Sequence, residues 1–445
     1  MRPSQQLLAI LFAALFVFSV NAQRLDDQLA TSKNTMFTAS SLSPSGQKLY
    51  LEQRKLLAEN RADLLSGMIA SAVLELESKA LNSTPEKLVA AQRTKVGEPT
   101  AAEIKSLYDA NVSAVGGRPL AEVRPQLVEY LKNVAGEKAV GDYIQALRVK
   151  YKVSTGKDVN AIGLTPAEVV ATIGPRSITL GAFQEANKVR LNDTEMEVFE
   201  ELRGDLESSI FSTLVAEEAK ERNLDTGAFI ATEITDKLRQ FTDEERSAIE
   251  NALLRRLFTK YAVQMLLREP PRIVQNISID ADDPQTGNAS APVTVVMFTD
   301  FQCPACSRTH PVLKQTLAEY GDKIRFVVRD FPLENIHENA FQAALAANAA
   351  RAQGKFFEYA DVLYKNQDAL EKASLIKYAA ELGLNAKQFE LDFSDARTQA
   401  EVRRDQADGR SYGIGGTPAI FVNGIKIQRL SSQAFRRAID RALSK

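Results

Sequence analysis

Cysteine, histidine and tryptophan are scarce in this sequence: its 445 residues include 2 cysteines, 2 histidines and no tryptophan. A single cysteine pair cannot build a disulfide framework, so other forces must hold the fold together. The net charge is only −2, and the basic residues form no long run. A surface that follows nucleic-acid phosphates needs clustered lysine and arginine, so nothing in the sequence suggests nucleic-acid binding.

The length of 445 residues exceeds what one hydrophobic core usually supports, so several domains are expected. Hydrophobic residues make up 44% and charged residues 25%, as in an ordinary soluble globular protein. Changes of composition along the chain predict four segments. They are a signal peptide over 1–22, helical repeats over 23–160 and 161–271, and an α/β domain over 272–445.

The N-terminus has the pattern of an export signal. Arg2 supplies a positive charge, residues 7–20 form a mostly apolar stretch, and Val20-Asn21-Ala22 offers a cleavage site before Gln23. The apolar stretch is shorter than the ~20 residues that cross a bilayer as a helix. We therefore predict a cleaved signal peptide and a periplasmic or secreted protein. An uncleaved membrane anchor is the alternative.

Residues 24–270 have the composition of a helical region, because good helix formers dominate and glycine and proline are sparse. A threonine followed three residues later by glutamate is the capping-box pattern of a helix start. This pattern occurs at Thr100, Thr165 and Thr242. Together these signals predict an all-α region.

An internal repeat with an offset of about 141 residues is indicated within this helical region. Residues 37–42 align with 178–183, and residues 77–82 align with 218–223. The first and last capping boxes form a third landmark after a shift of one residue. We therefore predict a duplicated region, and chance similarity between amphipathic helices is the alternative.

From about residue 272 onwards, short apolar runs alternate with helical segments, which is typical of an α/β domain. The Asn423-Gly424 pair between two apolar runs is a strong signal of a β-hairpin. The predicted order is a short strand at 277–279, a turn-rich stretch over 280–290, a strand at 293–298, a helix to about residue 320, a strand at 324–328, several helices over 338–412, and a hairpin from 419 followed by a final helix.

Cys303-Pro304-Ala305-Cys306 closely follows the predicted strand at 293–298 and contains both cysteines of the chain. At the start of a helix, this spacing brings the two sulfurs close enough to form a disulfide. Pro304 suits the first helical position, and the free amides of a helix N-terminus stabilise a thiolate there. We therefore predict that Cys303 is the nucleophile of disulfide exchange and that Cys306 resolves the mixed disulfide.

Three other uses of this cysteine pair can be weighed against redox chemistry. A structural disulfide that closes so small a loop constrains the unfolded chain little. A zinc site has to include His310 and His337, but their spacing lacks the paired pattern of zinc ligands. Inert buried thiols are a further alternative. We predict neither a metal nor another cofactor.

The segment from about residue 275 resembles the DsbA-like branch of the thioredoxin superfamily. The resemblance is carried by Thr299-Asp300-Phe301-Gln302 before the cysteine motif, by 329–333 with His337 and Ala340, and by 415–424. It implies a thioredoxin fold with a helical insertion and thiol–disulfide oxidoreductase activity. It also implies that Thr417-Pro418 is a cis peptide that faces the cysteines and binds an extended client chain through backbone hydrogen bonds.

Two positions depart from the pattern of this family. Its best-known oxidases carry a histidine directly before the second cysteine, where this chain has Ala305, so Cys303 is expected to be less acidic than in those oxidases. Thioredoxin-like enzymes often place a buried carboxylate six residues before the first cysteine, where this chain has Met297. Nearby side chains that could tune the pair are Asp300, Arg329 and His310, while His337 is expected to have a structural role.

The helical region resembles the N-terminal domain of SurA-like periplasmic chaperones and related peptidyl-prolyl isomerases. The resemblance is carried by 169–183, 102–108 and 117–125, and it implies a chaperone-like cradle for unfolded chains. No parvulin-type catalytic domain is recognisable, and the region contains neither histidine nor cysteine, so isomerase activity is not expected. A scaffold that spaces the redox domains, or joins them as a homodimer, is the alternative.

Together these patterns predict an exported thiol–disulfide oxidoreductase with a thioredoxin-like catalytic domain and a chaperone-like helical region. The expected partners are unfolded or cysteine-containing exported proteins and a redox partner that recycles the disulfide. The alternative is a non-enzymatic holdase or scaffold whose cysteine pair is idle or regulatory. The sequence leaves open whether the pair oxidises, reduces or isomerises its clients.

Overall fold

The computed structural model describes residues 23–444, without the side chains of residues 243 and 244. The signal peptide predicted for 1–22 lies outside the described residues. The chain forms two compact units: one combines the residues up to Gln53 with Glu201–Arg268, and the other combines Arg54–Glu200 with Glu269–Lys445. These units are not the segments predicted from the sequence, whose boundaries stay predictions.

Long helices and two small sheets make up residues 23–268. The helical prediction is confirmed, but the sequence pattern misses the strands, because each has only two to five residues. The elements are β1 (Gln28–Thr31), β2 (Met36–Thr38), α1 (Pro44–Ala80), α2 (Pro85–Arg93), α3 (Ala101–Ala110), α4 (Leu120–Lys150), β3 (Val153–Thr155), β4 (Val169–Ile173), β5 (Arg176–Thr179), α5 (Leu180–Glu221), α6 (Thr226–Glu233), α7 (Asp243–Lys260) and β6 (Gln264–Met265).

Two of the three predicted capping boxes start helices. Thr100 caps α3, because its hydroxyl accepts the Glu103 N–H while the Glu103 carboxylate accepts the Thr100 N–H. The Thr242 hydroxyl caps α7. The prediction at Thr165 is wrong: Glu168 accepts the Thr165 N–H at 2.5 Å, but this segment closes a turn that leads into β4. The same side-chain chemistry satisfies backbone amides at turns and at helix starts.

Each small sheet has three antiparallel strands, in the orders β2-β1-β6 and β3-β4-β5. The hairpins β1–β2 and β4–β5 lead into the two longest described helices, α1 with 37 residues and α5 with 42. The third strands are exchanged: β3 follows the first long helix but pairs with the second hairpin, whereas β6 pairs with the first hairpin. This topology fits the predicted duplication, with the final strands exchanged between the two repeats.

A buried glutamate with a lysine–tyrosine pair occurs in both halves of the helical region. Glu77, near the end of α1, accepts hydrogen bonds from Lys150 Nζ and Tyr151 Oη at 2.5 and 2.7 Å. Glu218 lies 141 residues later, near the end of α5, and accepts hydrogen bonds from Lys260 and Tyr261. Both glutamates are buried. This correspondence supports the predicted alignment of 77–82 with 218–223.

The third landmark of the predicted repeat is not matched by the structure. Thr100 begins α3, whereas Thr242 begins α7, which leads directly to Lys260 as α4 leads to Lys150. Helix α7 therefore corresponds to α4, and α3 has no counterpart among the described residues of the second half. The same local chemistry starts many helices, so capping boxes occur at helices that do not correspond to each other. Their alignment therefore could not show which helices of the two repeats match.

The C-terminal elements form a five-stranded mixed sheet with helices. They are β7 (Gln285–Gly287), β8 (Val293–Thr299), α8 (Pro304–Ala318), β9 (Ile324–Asp330), α9 (Ala340–Arg351), α10 (Phe356–Lys365), α11 (Lys372–Glu381), α12 (Ala386–Ser394), α13 (Ala396–Ser411), β10 (Ala419–Val422), β11 (Ile425–Ile427) and α14 (Ser432–Leu443). The order is β11-β10-β8-β9-β7, with β8 and β9 parallel and the other pairs antiparallel. The predicted thioredoxin-like fold with a helical insertion between β9 and β10 is confirmed.

The sheet is buried on both faces. Val295 and Met297 point into the larger core cluster, which also contains both cysteines. Phe298 points into the opposite cluster with Phe331 and Phe421. A strand that is buried on both sides needs no polar face, and for this reason the sequence of β8 is an almost continuous apolar run.

Two details of the predicted strands are corrected by the structure. The predicted strand at 277–279 is wrong: its isoleucines pack against the cluster around Phe298 without joining a strand ladder. The edge strand is β7 instead, inside the predicted turn-rich stretch. Gly287 in β7 has φ of 86°, and a side chain there would collide with the Ile324 carbonyl. The predicted hairpin turn is confirmed, with φ of 45° and 77° at Asn423 and Gly424.

Candidate active site

The cysteine motif begins helix α8 as its spacing predicts. Cys303 is the N-cap residue with extended backbone angles, and Pro304 occupies the first turn. The Cys303 N–H donates to the Asp300 carbonyl, and Gln367 Nε2 donates to the carbonyls of Phe301 and Cys303 at 2.9 Å each. These bonds fix the loop between β8 and α8. They hold the Cys303 sulfur over the free amides of the helix N-terminus.

The Cys303 thiol is acidic. Interaction with the Cys306 thiol is the largest cause of its low pKa. Burial alone would raise the pKa, but the Thr417 side chain and the N–H groups of Cys306 and Ala305 lower it further. Together they lower the pKa of Cys303 from its ordinary 9.0 to about 5. Ala305, predicted as a modulator, therefore acts through its backbone. The thiolate is the attacking form, so this thiol is activated at neutral pH.

Cys306 lies one turn inside α8 and is completely buried. Burial, together with the neighbouring Cys303 sulfur, raises the pKa of Cys306. Both cysteines are present as free thiols. The two sulfurs therefore differ strongly in acidity, as an attacking thiol and a resolving thiol should.

The Thr417-Pro418 peptide bond is cis, as the family resemblance implies. It precedes β10, which pairs antiparallel with β8 from Ala419 opposite Phe298. This pairing brings the Thr417 carbonyl to 3.4 Å from Cys303 Sγ, where it accepts a hydrogen bond from the protonated thiol. The structure thus brings together Cys303, Cys306 and the cis-proline loop. The client-binding role of Thr417 and Pro418 stays a prediction.

The two histidines bind carboxylates. His310 is buried in α8, its ring packs on Tyr364 with centroids 4.8 Å apart, and its Nδ1 lies 3.6 Å from an Asp361 oxygen. Burial lowers the pKa of His310 and so favours the neutral ring. His337 Nδ1 lies 2.7 Å from the buried Asp300 carboxylate. This contact joins the loops after β8 and β9, so the geometry fits the structural role expected for His337.

Arg329 does not lie beside the cysteines, although the sequence makes it a candidate. Its guanidinium packs over the Phe298 ring at 5.5 Å, on the face of the sheet opposite the cysteine cluster. There it pairs with Asp405 at 2.5 Å and Asp408 at 2.9 Å. Asp300, the other charged candidate, instead orders its own loop by accepting the Gln302 N–H at 2.7 Å.

Three polar residues near the site are missed by reasoning from the sequence. Gln367 holds the cysteine loop, while Thr299 and Tyr364 share a hydrogen bond of 2.6 Å in the core beside Cys306. Gln367 and Tyr364 belong to the helical insertion, more than fifty residues after the cysteines. No local pattern marks them. Their role becomes visible only when the insertion packs on α8.

An acidic group precedes β7, where Asp280, Asp282 and Asp283 carry carboxylate oxygens within 4.8 Å of one another. Arg404 pairs with Asp280 and Asp282 at 3.0 Å each, and Arg329 lies 3.5 Å from Asp283. Arginine side chains thus already balance the negative charge, and this group gives no reason to expect a metal ion.

Residues 280–441 match the family model described as thioredoxin. The matched range includes the cysteine motif, the helical insertion and the cis-proline. The C-terminal domain is thioredoxin-like. The match does not reach the helical region, for which the resemblance to SurA-like chaperones stays a prediction.

Several solved structures resemble part of the chain. A thioredoxin-like oxidoreductase from Silicibacter pomeroyi is 28% identical, covers 37% of this chain and 95% of that chain, and has a TM-score of 0.35. Oxidised BdbD from Bacillus subtilis is 21% identical over 40% of this chain and 100% of that chain, with a TM-score of 0.35. The catalytic domain of Proteus mirabilis ScsC is 22% identical over 37% of this chain and 92% of that chain, with a TM-score of 0.33.

Among curated relatives, parts of proteins named as Na(+)/H(+) antiporters match the chain. The antiporter of Mycolicibacterium vanbaalenii is 39% identical over 142 residues, which is 32% of this chain and 23% of the antiporter. That of Salinispora tropica is 38% identical over 149 residues, 33% of this chain and 23% of the antiporter. The chain thus spans about a quarter of these relatives. Among residues 23–444, no helix is long and apolar enough to cross a membrane.

Proposed function

We propose that this protein is an exported thiol–disulfide oxidoreductase that acts on cysteine-containing client proteins in the periplasm or outside the cell. The proposal rests on one observation: an acidic Cys303 thiol at a helix N-terminus, 3.4 Å from the carbonyl that precedes a cis-proline. The thioredoxin match over 280–441 supports it. Export rests on the sequence pattern of residues 1–22.

The chemistry follows from the different acidities of the two thiols. The Cys303 thiolate attacks a client disulfide, whose S–S bond breaks as the mixed disulfide forms and one client sulfur leaves as a thiolate. Cys306 then attacks the Cys303 sulfur, which releases the second client sulfur and forms the Cys303–Cys306 disulfide. The client gains two electrons and the pair loses two. The reverse sequence oxidises a client dithiol, and the redox partner that recycles the pair sets the direction.

The cis-proline loop offers a binding surface for an extended client chain. Gly415 and Gly416 have open space where side chains would project, so a client backbone can approach the loop. The Thr417 backbone stands next to the Cys303 sulfur. A client strand that pairs with this backbone would carry its cysteine to Cys303.

An insulin-reduction assay and a thiol-oxidation assay test the proposal. Wild type is compared with Cys303→Ser, which removes the nucleophile, and with Cys306→Ser, which removes the resolving thiol. Turnover should disappear in Cys303→Ser. The Cys306→Ser variant should instead accumulate a client adduct that dithiothreitol releases. Equal turnover in wild type and Cys303→Ser would rule the proposal out.

A chaperone-like role for the helical region adds to this proposal. Within one unit, the first part of α5, up to Glu200, packs on the thioredoxin-like domain: Val189 lies against Gly413, just before the cis-proline loop, and Asp193 pairs with Lys426 and Gln428 of the β11 segment. A client held by these helices would stay close to Cys303. Its effective concentration at the thiol would therefore rise.

A non-enzymatic holdase is the second candidate, and exposed apolar residues on α4 favour it. Tyr130 and Val134 lie one turn apart and are 56% and 51% exposed. We would measure how well the protein suppresses aggregation of a denatured client whose cysteines are blocked. A holdase keeps this activity in Cys303→Ser and loses it when both apolar residues become serine. The matched control is Glu129→Gln, an exposed neighbour on the same helix.

A further inference from the structure

The resolving thiol must lose its proton inside an apolar core. Cys306 is completely buried, and Met297 occupies the position where thioredoxin-like enzymes often carry a carboxylate. A methionine thioether cannot take up a proton or donate a hydrogen bond to a thiolate. Some other group must therefore stabilise the Cys306 sulfur as it begins to attack.

A pair of hydroxyl groups lies beside Cys306. Thr299 Oγ1 lies 2.6 Å from Tyr364 Oη, and Tyr364 belongs to the same core cluster as Cys306. The Thr299 side chain acts against the rise in the pKa of Cys306. Tyr364 is anchored to the cysteine helix, because Ser307 Oγ donates to its carbonyl at 2.9 Å and its ring packs on His310. Helix α8 itself thus holds the hydroxyl pair against the resolving thiol.

Two titratable groups near this pair, Asp330 and His310, favour their neutral forms. Asp330 stands next to Thr299 in the β8–β9 register and is buried, with one oxygen bonded to Asn348 and the other without a partner among the described residues. Burial, with the charge of Asp405 adding to it, raises the pKa of Asp330 well above its usual range. His310 favours the neutral ring, and the Asp300 carboxylate is bonded to His337. Besides the Asp300 backbone, the Thr299 side chain is the neutral group that favours the Cys306 thiolate.

We propose that Thr299 and Tyr364 take the place of the missing carboxylate in the resolving step. The Thr299 hydroxyl donates a hydrogen bond to the Cys306 sulfur as it becomes a thiolate, and Tyr364 donates to Thr299 and so holds it in that orientation. Either oxygen of the pair can be the donor, so the bonds can reverse when Cys306 is a thiol. Thr299 is a catalytic residue here and Tyr364 a positioning residue.

This inference rests on the proposed disulfide exchange. In the resolving step the Cys303–Cys306 S–S bond forms, and the S–S bond between Cys303 and the client breaks. The electron pair of the broken bond leaves on the client sulfur, which is reduced while the cysteine pair is oxidised. Cys306 loses one proton and the client thiolate takes one up, so no further reactant is needed.

The test compares Tyr364→Phe with Tyr359→Phe. Both tyrosines are buried in α10, but the Tyr359 hydroxyl donates to the Leu375 carbonyl at 2.7 Å and serves only the fold. The mixed disulfide between Cys303 and a synthetic cysteine peptide is prepared, and its resolution is followed by quenched-flow mass spectrometry across a pH series. Tyr364→Phe should slow resolution about tenfold at neutral pH, or ~1.4 kcal/mol, and shift its pH profile upward. Tyr359→Phe should leave both unchanged.

Substitutions at Thr299 provide a second test in the same assay. Thr299→Val, which removes the hydroxyl, should slow resolution of the mixed disulfide as Tyr364→Phe does. Thr299→Ser, which keeps the hydroxyl, should resolve it at the wild-type rate. Wild-type resolution in Tyr364→Phe, or equal slowing in Tyr359→Phe, would overturn the inference while leaving the proposed function intact. If wild type forms no mixed disulfide with the peptide, the proposed function itself fails.

Discussion

The reactivity of Cys303 should follow a thiolate whose pKa is about 5. At neutral pH such a thiol is about 99% ionised, whereas a thiol that keeps the ordinary value of 9.0 is only about 1% ionised. Because only the thiolate reacts with iodoacetamide, the pH at which the alkylation rate reaches half of its plateau reports this pKa.

The assay measures the alkylation rate of the reduced protein from about pH 3 to about pH 9. The midpoint in wild type is expected near pH 5. In Cys306→Ala the largest cause of the low pKa is removed, so the midpoint should rise toward 9.0 while the helix amides keep it below that value. The Cys303→Ser variant measures how much alkylation of the buried Cys306 contributes to the rate. No alkylation of Cys306 is expected over this pH range. A wild-type midpoint near 9.0, or one unaffected by Cys306→Ala, would refute the reasoning.

The low pKa of Cys303 should also make the stability of the reduced protein depend on pH. The folded pKa of Cys303 lies below the unfolded value, so the contribution of its thiolate is fully present above pH 9.0 and is lost as the pH falls through about 5. The reduced form should therefore gain stability relative to the disulfide form as the pH rises through this window. Urea midpoints of the two forms measure the difference, and parallel pH dependences would contradict the expectation.

Three further substitutions test the core of the thioredoxin-like domain by urea unfolding. Arg329→Met leaves buried aspartates without their cation and should lower the free energy of unfolding by about 3–5 kcal/mol; a loss below ~1 kcal/mol would contradict the ion-pair account. Gly409→Ala places a methyl group 2.6 Å from the Phe331 ring and should cost about 1–3 kcal/mol, whereas Gly67→Ala, in open space within α1, should be neutral or stabilising. Asp330→Asn should stabilise the protein increasingly as the pH rises above about 4, because the unfolded chain then releases the Asp330 proton while the buried acid of the folded protein keeps it; a constant difference would argue against a raised pKa.

The path from β8 into α8 and the β10–β11 hairpin could be predicted because their signals are local. A continuous apolar run, a proline at the first helical turn and the Asn423-Gly424 turn each determine the backbone within a few residues. The cis-proline and its place opposite the cysteines came from the family resemblance, not from spacing.

The parts that were missed depend on contacts between distant segments. Tyr364 and Gln367 reach the cysteine loop only through the packing of α10, and Arg329 faces away from the cysteines because strand alternation puts it on the side of Phe298. The strands of the helical region could not be predicted because each has only two to five residues, and because β3 and β6 pair with hairpins that are distant along the chain or separated from them by a long loop or helix. The Thr165 pattern misled because a threonine–glutamate pair also closes turns.

The exchange of β3 and β6 limits where the helical region can be divided. A fragment that ends between β3 and β4 keeps the first hairpin without β6 and keeps β3 without the second hairpin. Each fragment would display an open strand edge, which a strand of a second copy can cover by edge-to-edge pairing. Truncated versions should therefore associate in pairs, while the uncut region completes both sheets from its own chain.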